Sequence, residues 1–272
     1  MTKSELPLII EPNELELQLG NKNLLIVDLS QPQTYVQYHI PGAVFLEYAW
    51  LVHIEQPRMG LLPDQAQLTN VLSALGLTQD THVVAYDDEG GGRACRFLWT
   101  LDVVGHQHYS LLNGGLHAWA NEGHRVTSEI DYPTKGKYEV TLQSGPVADR
   151  QYILDHLNDE DVKLLDTRSP QEYAGTKVFA ARGGHIPGAT NIEWTEAMDK
   201  QRNMRLKSES ELRALLESHG ITSDKEIITH CQTHHRSAHT YIMLKSLGYE
   251  KVKGYPGSWS DWGNDASTPI EN

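Results

Sequence analysis

Short apolar runs alternate with amphipathic stretches along this chain, and the whole alternation occurs twice. Leu24-Leu25-Ile26-Val27 closes on Asp28, and Val162-Lys163-Leu164-Leu165 closes on Asp166. Behind each comes a copy of one pentapeptide, His39-Ile40-Pro41-Gly42-Ala43 and then His185-Ile186-Pro187-Gly188-Ala189. A helical stretch follows each copy. It opens with Asp64-x-x-Gln67 or Ser208-x-x-Glu211, capping boxes in which side chain and backbone satisfy each other's free donors. These stretches stop at Gly76 and Gly220, glycine being the usual helix stop. β-rich runs come next, at 81–86 and 226–230. A short polar loop and a second helical stretch follow, at 94–104 and 237–247. Both halves close on glycine and tryptophan, Gly114-Gly115-x-x-Ala118-Trp119 and Gly257-Ser258-Trp259. Asp64 to Ser208, Gly76 to Gly220 and Tyr86 to His230 are each 144 residues apart, a register that chance does not hold across three elements.

Strands alternating with helices predict an α/β fold of two tandem domains, each a parallel sheet with helices on both faces. The domains are expected at 8–128 and 148–268. The polar stretch 129–147, broken by glycine and proline, is expected to link them. The second copy has eight more residues between its aspartate and its pentapeptide, an insertion at roughly 175–183.

Composition narrows the function classes. The chain has 272 residues, 39% of them apolar, so a core is available. Lys plus Arg number 23 against 36 acids, a net charge of −13, which disfavours general nucleic-acid binding. The longest apolar runs are four or five residues, too short to span a membrane. The N-terminus lacks the apolar core of a secretion signal. The two cysteines, Cys95 and Cys231, are too few for a disulfide scaffold. These features predict a protein of the reducing cytoplasm.

The two halves differ at one loop. In open parallel sheets ligands sit beyond the carboxyl ends of the strands, so strand-to-helix loops are where chemistry is expected. The second half carries His230-Cys231-Gln232-Thr233-His234-His235-Arg236 there. The first half carries Asp87 in place of the cysteine, in a loop one residue longer. Amides curling around the Cys231 sulfur, the helix N-terminus and Arg236 all favour thiolate, the nucleophilic form. Cys95 lies inside an amphipathic helical stretch and reads as a small buried hydrophobe. One reactive and one unreactive copy of a duplicated fold is the prediction.

With these residues in place, the chain resembles the tandem-domain rhodaneses, or thiosulfate sulfurtransferases, over about residues 8–265. The resemblance rests on the aspartate-ended strands, both pentapeptides, the Cys231 loop and the glycine-tryptophan closures. It implies two rhodanese-like domains, the first inactive. It also implies transfer of the sulfane sulfur of thiosulfate through a Cys231 persulfide, with release of sulfite. Cyanide, a thiol or a sulfur-acceptor protein would then take the sulfur. No metal or organic cofactor is implied, and the expected form is a monomer. Gln232, Thr233, His234, His235 and Arg236 become the active-site loop. By analogy Asp166 braces that loop, with a helix-cap role as the alternative. Trp194 either walls the pocket or packs the core.

The chain departs from the family in detail. Relatives often carry an arginine before the tyrosine equivalent to Tyr173, and here the residue is Glu172. A dianionic substrate then loses one cation and faces a carboxylate, with Arg236 and Arg182 expected to compensate in part. The basic run Lys200, Arg202, Arg205, Lys207 reads as solvated surface or as a seat for an anionic partner. Two rival chemistries share part of this pattern. A phosphatase loop has the spacing His-Cys-x5-Arg, one residue more than here, and its larger amide ring fits phosphate. A metal site would draw on His230, Cys231, His234, His235 and His239, with no second ligand pair at a standard spacing.

Overall fold

The computed structural model describes residues 6–272. It divides into two units of α/β architecture. In the first, five parallel strands lie in the order Ile9–Ile10, Tyr109–Leu112, His82–Tyr86, Leu24–Asp28, Ala43–Phe45. In the second, four parallel strands follow the same order: Val252–Gly254, Glu226–His230, Val162–Asp166, Thr190–Asn191. A parallel bridge from Val147 to Gly254 stands where the first unit has its Ile9–Ile10 edge strand.

The central strands pair Asp28 with Tyr86 and Asp166 with His230. Each unit therefore brings two strand ends to the same edge, where its loop begins. The helices behind the loops, Gly92–Val103 and Arg236–Ser246, are nearly all buried on both long faces. Trp119 and Trp259 close the two cores, each at most 1% exposed.

The pentapeptide is a structural device used twice. His39 stacks on Tyr35 at 4.0 Å, and His185 stacks on Tyr173 at 3.7 Å. The Tyr35 hydroxyl donates to the Ala43 carbonyl, and the Tyr173 hydroxyl donates to the Ala189 carbonyl. Each copy thus ties a short helix to the next strand, and the proline and glycine between them make the turn.

The capping boxes differ. Ser208 and Glu211 form the reciprocal pair. Asp64 accepts from the Gln67 amide, but the Gln67 side chain donates instead to the Trp50 carbonyl at 3.1 Å, so that box is half made.

The units are not continuous in sequence. The first comprises residues through Leu51, Pro63–Gln143 and Asp199–Leu206. The second comprises Val52–Leu62, Ser144–Met198 and Lys207–Asn272. Much of the stretch expected to be a linker packs on the first unit. Tyr138 is 2% exposed with its amide on Ser73 Oγ, and the Gln143 amide donates to the Val103 carbonyl. Polarity and proline make it read as a linker, and within it the Gly136 and Gln143 amides and the buried Tyr138 tie the chain to the first unit.

Arg205 is also drawn into the first unit. Its guanidinium is clamped by Glu11 and Glu122, and the residue is 8% exposed. It is an internal tie and leaves the basic run expected at the surface. No described helix is long and apolar enough to cross a membrane.

Candidate active site

Strand Glu226–His230 delivers Cys231 to the carboxyl edge of the second sheet, and helix Arg236–Ser246 begins five residues later. The loop between them wraps the sulfur. Cys231 is fully buried. Burial alone would push its thiol up. The Arg236 charge, the Ser237 hydroxyl and the amides of Ser237 and Thr233 outweigh burial and bring it down from 9.0 to about 7. Backbone donors and one fixed cation therefore favour the thiolate near neutral pH, as nucleophilic chemistry requires.

A serine outside the loop holds its backbone. Ser258 Oγ accepts from the amides of Cys231 at 3.2 Å and His234 at 3.0 Å, and donates to the Tyr255 carbonyl. Ser258 has φ +49°, the left-handed region that L side chains avoid, and the first unit places Gly115 at φ +54° in the matching position. The match follows from one contact made twice. The amide after Ser258, that of Trp259, donates to the Cys231 carbonyl, as the amide after Gly115, that of Leu116, donates to the Asp87 carbonyl. A strained serine where glycine is easier marks a functional constraint.

Thr167 braces the loop from the neighbouring strand, its amide donating to the His230 carbonyl at 2.9 Å. His234, itself at φ +53°, places Nδ1 2.7 Å from Ser237 Oγ. Gln232 donates its side-chain amide to the Phe179 carbonyl in the inserted segment. The Trp194 ring lies 6.0 Å from His235 and 5.6 Å from His239, so it stands against the loop helix.

The structure places three expected residues differently. Glu172 does not face an open pocket. It is 3% exposed and grips Arg236 through two bonds, Nη1 to Oε2 at 2.7 Å and Nη2 to Oε1 at 2.8 Å. Burial raises its pKa, but Arg236 and Ser169 overcome burial and hold it at about 2. Arg182 is not available as a second cation for substrate. Its guanidinium donates to the carbonyls of Gly263, Trp262, Asp265 and Thr268, tying down the C-terminal segment. Asp166 does not brace the loop directly. Its carboxylate is taken by Arg168 Nε and Nη2, and His230 Nε2 stays 4.0 Å away. The nearby helix is capped by Ser169 instead.

His230 and His239 are buried, and burial lowers each to about 4, which leaves both neutral. Among the described residues no three His, Cys, Asp or Glu side chains gather as a metal site requires.

The sequence reasoning missed Ser237 and Ser258. The signal was present, since Ser237 stands where the first half has Ala94 and Ser258 stands where it has Gly115, but only contacts reveal that both hydroxyls face the loop.

The first unit shows what the same loop does without a cysteine. The Asp87 carboxylate fills it, accepting from the amides of Glu89, Gly91, Arg93 and Ala94 at 2.7–3.0 Å. An internal anion occupies the cradle.

Comparison with known proteins follows this division. A rhodanese-like domain model matches residues 11–122 and again 149–265. A thiosulfate sulfurtransferase of Pseudomonas aeruginosa is 48% identical over 98% of both chains. A sulfur carrier protein of Thermus thermophilus is 37% identical over 85% of both. An anaerobic ergothioneine biosynthesis enzyme from Chlorobium limicola, solved with trimethyl histidine, shares the fold. Its TM-score is 0.85 at 21% identity, covering 97% of this chain and 70% of that one.

Proposed function

The chain belongs to the rhodanese family, and we propose that it is a thiosulfate sulfurtransferase working through a persulfide on Cys231. The observation that carries the reading is a buried cysteine brought down to about 7 by Arg236, the Ser237 hydroxyl and two amides, in the half that lacks the internal anion. The Cys231 thiolate attacks the outer sulfur of thiosulfate. A new sulfur–sulfur bond forms, the bond inside thiosulfate breaks, and sulfite leaves with its electron pair. The terminal sulfur of the persulfide then passes to cyanide, giving thiocyanate and restoring the thiolate. This is covalent catalysis in two half-reactions. The Thr233 and Ser237 amides face an anionic sulfur throughout, so the site needs little reorganisation between steps.

Other thiophiles, including a cysteine of an acceptor protein, serve as sulfur acceptors in the same way. The sulfur carrier relative supports that extension. The reaction needs no metal or organic cofactor, and the reading places a monomeric enzyme in the reducing cytoplasm.

Intact-mass analysis after incubation with thiosulfate tests this directly. The parent protein is expected to gain the mass of one sulfur atom and lose it on addition of cyanide. Cys231→Ser is expected to gain none, and Cys95→Ala to behave as the parent. Thiocyanate formation by Cys231→Ser at the parent rate would overturn the reading.

A further inference from the structure

We propose that Glu172 sets which sulfur donors this site accepts, by cancelling the charge of Arg236 beside the reactive thiol. The inference rests on the sulfurtransferase reading above.

The charged and titratable groups around Cys231 come from four places. The strand end 166–168 supplies Asp166 and Arg168, which pair with each other. The helix Pro170–Tyr173 supplies Glu172, which pairs with Arg236 of the loop. The loop adds His230, His234 and His235, and the following helix adds His239. His230 and His239 are neutral. The fixed charges therefore cancel, Arg168 against Asp166 and Arg236 against Glu172. A thiosulfate dianion entering this site meets amide dipoles and a guanidinium that already has its carboxylate. A persulfide donor brings at most one negative charge to the same atoms and loses less by that cancellation.

The carboxylate is held firmly enough to keep doing this. It also accepts from the Ser169 amide at 3.2 Å and the Ser169 hydroxyl at 2.9 Å. With both oxygens engaged and the side chain buried, it does not swing away when an anion arrives. Glu172 touches no reacting atom. It acts through Arg236, as a specificity-determining residue.

Exchange of charge without change of size tests the idea. Glu172→Gln keeps one acceptor for Arg236 and removes the negative charge. Its KM for thiosulfate is expected to fall on the order of tenfold, the effect of one unit charge across a partly screened gap, with kcat little changed. Removing an anion favours the thiolate, so the midpoint of Cys231 alkylation against pH is expected to move below that of the parent. KM for ethyl persulfide, a donor with an uncharged tail, is expected to fall by no more than about threefold, because at most one charge meets the altered field and the interaction energy is halved. Glu172→Asp, which keeps the charge, is expected to keep the parent's preference between the two donors.

A Glu172→Gln protein with thiosulfate KM unchanged or raised would show that Glu172 only positions Arg236, and would overturn the inference alone. So would an equal gain with both donors. If the parent protein takes up sulfur from neither donor, the sulfurtransferase reading falls and the inference falls with it.

Discussion

Cys231 and Ser258 are each understandable only as a partner of the other. Ser258 accepts the amides on both sides of the loop's tight turn, and it does so from a left-handed backbone that costs a serine about 1 kcal/mol. Two substitutions separate the hydroxyl from the strain. Ser258→Gly relieves the backbone and removes the acceptor, while Ser258→Ala keeps the strain and removes the acceptor. Both are expected to lower the rate of sulfur transfer, because the Cys231 and His234 amides lose their partner at a cost of about 1–3 kcal/mol each. Urea unfolding is expected to find the alanine variant less stable than the glycine variant by about 1 kcal/mol. A glycine variant with the parent's transfer rate would show that the hydroxyl is dispensable. Arg236 acts on the same sulfur through charge. Arg236→Ala leaves burial less opposed, so the pH at which iodoacetate alkylates Cys231 is expected to rise from near 7 toward or past the free-thiol value of about 8.5. An unmoved midpoint would assign the thiolate to the amides and the Ser237 hydroxyl alone. Charge reversal at Glu172 is a different matter. Placing an arginine there would set two guanidiniums against each other in a space that is 3% exposed, so restoring the cation that relatives carry is not expected to improve thiosulfate capture.

At the level of elements, the two strand-to-helix loops are one design with two fillings. In the first, four amides hold the Asp87 carboxylate; in the second, amides and a hydroxyl hold a cysteine sulfur. Burial and the neighbouring Glu89 charge push the Asp87 pKa up, and the loop amides oppose that rise. Asp87→Ala is therefore expected to lose about 2 kcal/mol or more in urea unfolding, with sulfate restoring part of the loss by entering the emptied cradle. No loss, or none that sulfate restores, would mean that the carboxylate does not organise the loop. The strands, both long loop helices and the cysteine-for-aspartate difference are legible in the sequence because each is local, fixed by apolar period, caps and glycine stops. What the sequence hides is the long-range pairing of polar groups. Glu172 and Arg236 are 64 residues apart, and Arg182 bonds to carbonyls, which no side-chain pattern records. Gln67 has the residue type for a capping box and the wrong neighbour, Trp50, close at hand.

At the level of the whole molecule, the repeat in the sequence and the units in space do not coincide. Residues Val52–Leu62 come from the first copy and belong to the second unit. Within them, strands His53–Glu55 and Arg58–Leu61 form a hairpin whose second strand stands against the active-site loop. The Met59 amide donates to Ser260 Oγ at 2.9 Å, and Ser260 Oγ also approaches the Met59 carbonyl. The Ser260 amide in turn donates to the Gln232 carbonyl. Gly60, at φ +75°, packs so closely that a Cβ there would lie 2.7 Å from the Thr233 Cβ. The hairpin thus backs the residue whose amide faces the Cys231 sulfur. A chain cut to residues 144–272 keeps Cys231 and every loop residue, yet it lacks this support. Its rate of thiocyanate formation is expected to fall at least tenfold, about 1.4 kcal/mol in the barrier. Gly60→Ala makes the same point in the full chain. The added methyl, in a backbone conformation alanine resists, must displace Thr233, so transfer is expected to slow while Cys231 and the remainder of the loop stay unaltered in sequence. Circular dichroism and urea unfolding check that the variant is folded. A folded Gly60→Ala protein with the parent's kcat/KM would show that the hairpin touches the loop without shaping it, and the second copy would then be an active site sufficient in itself.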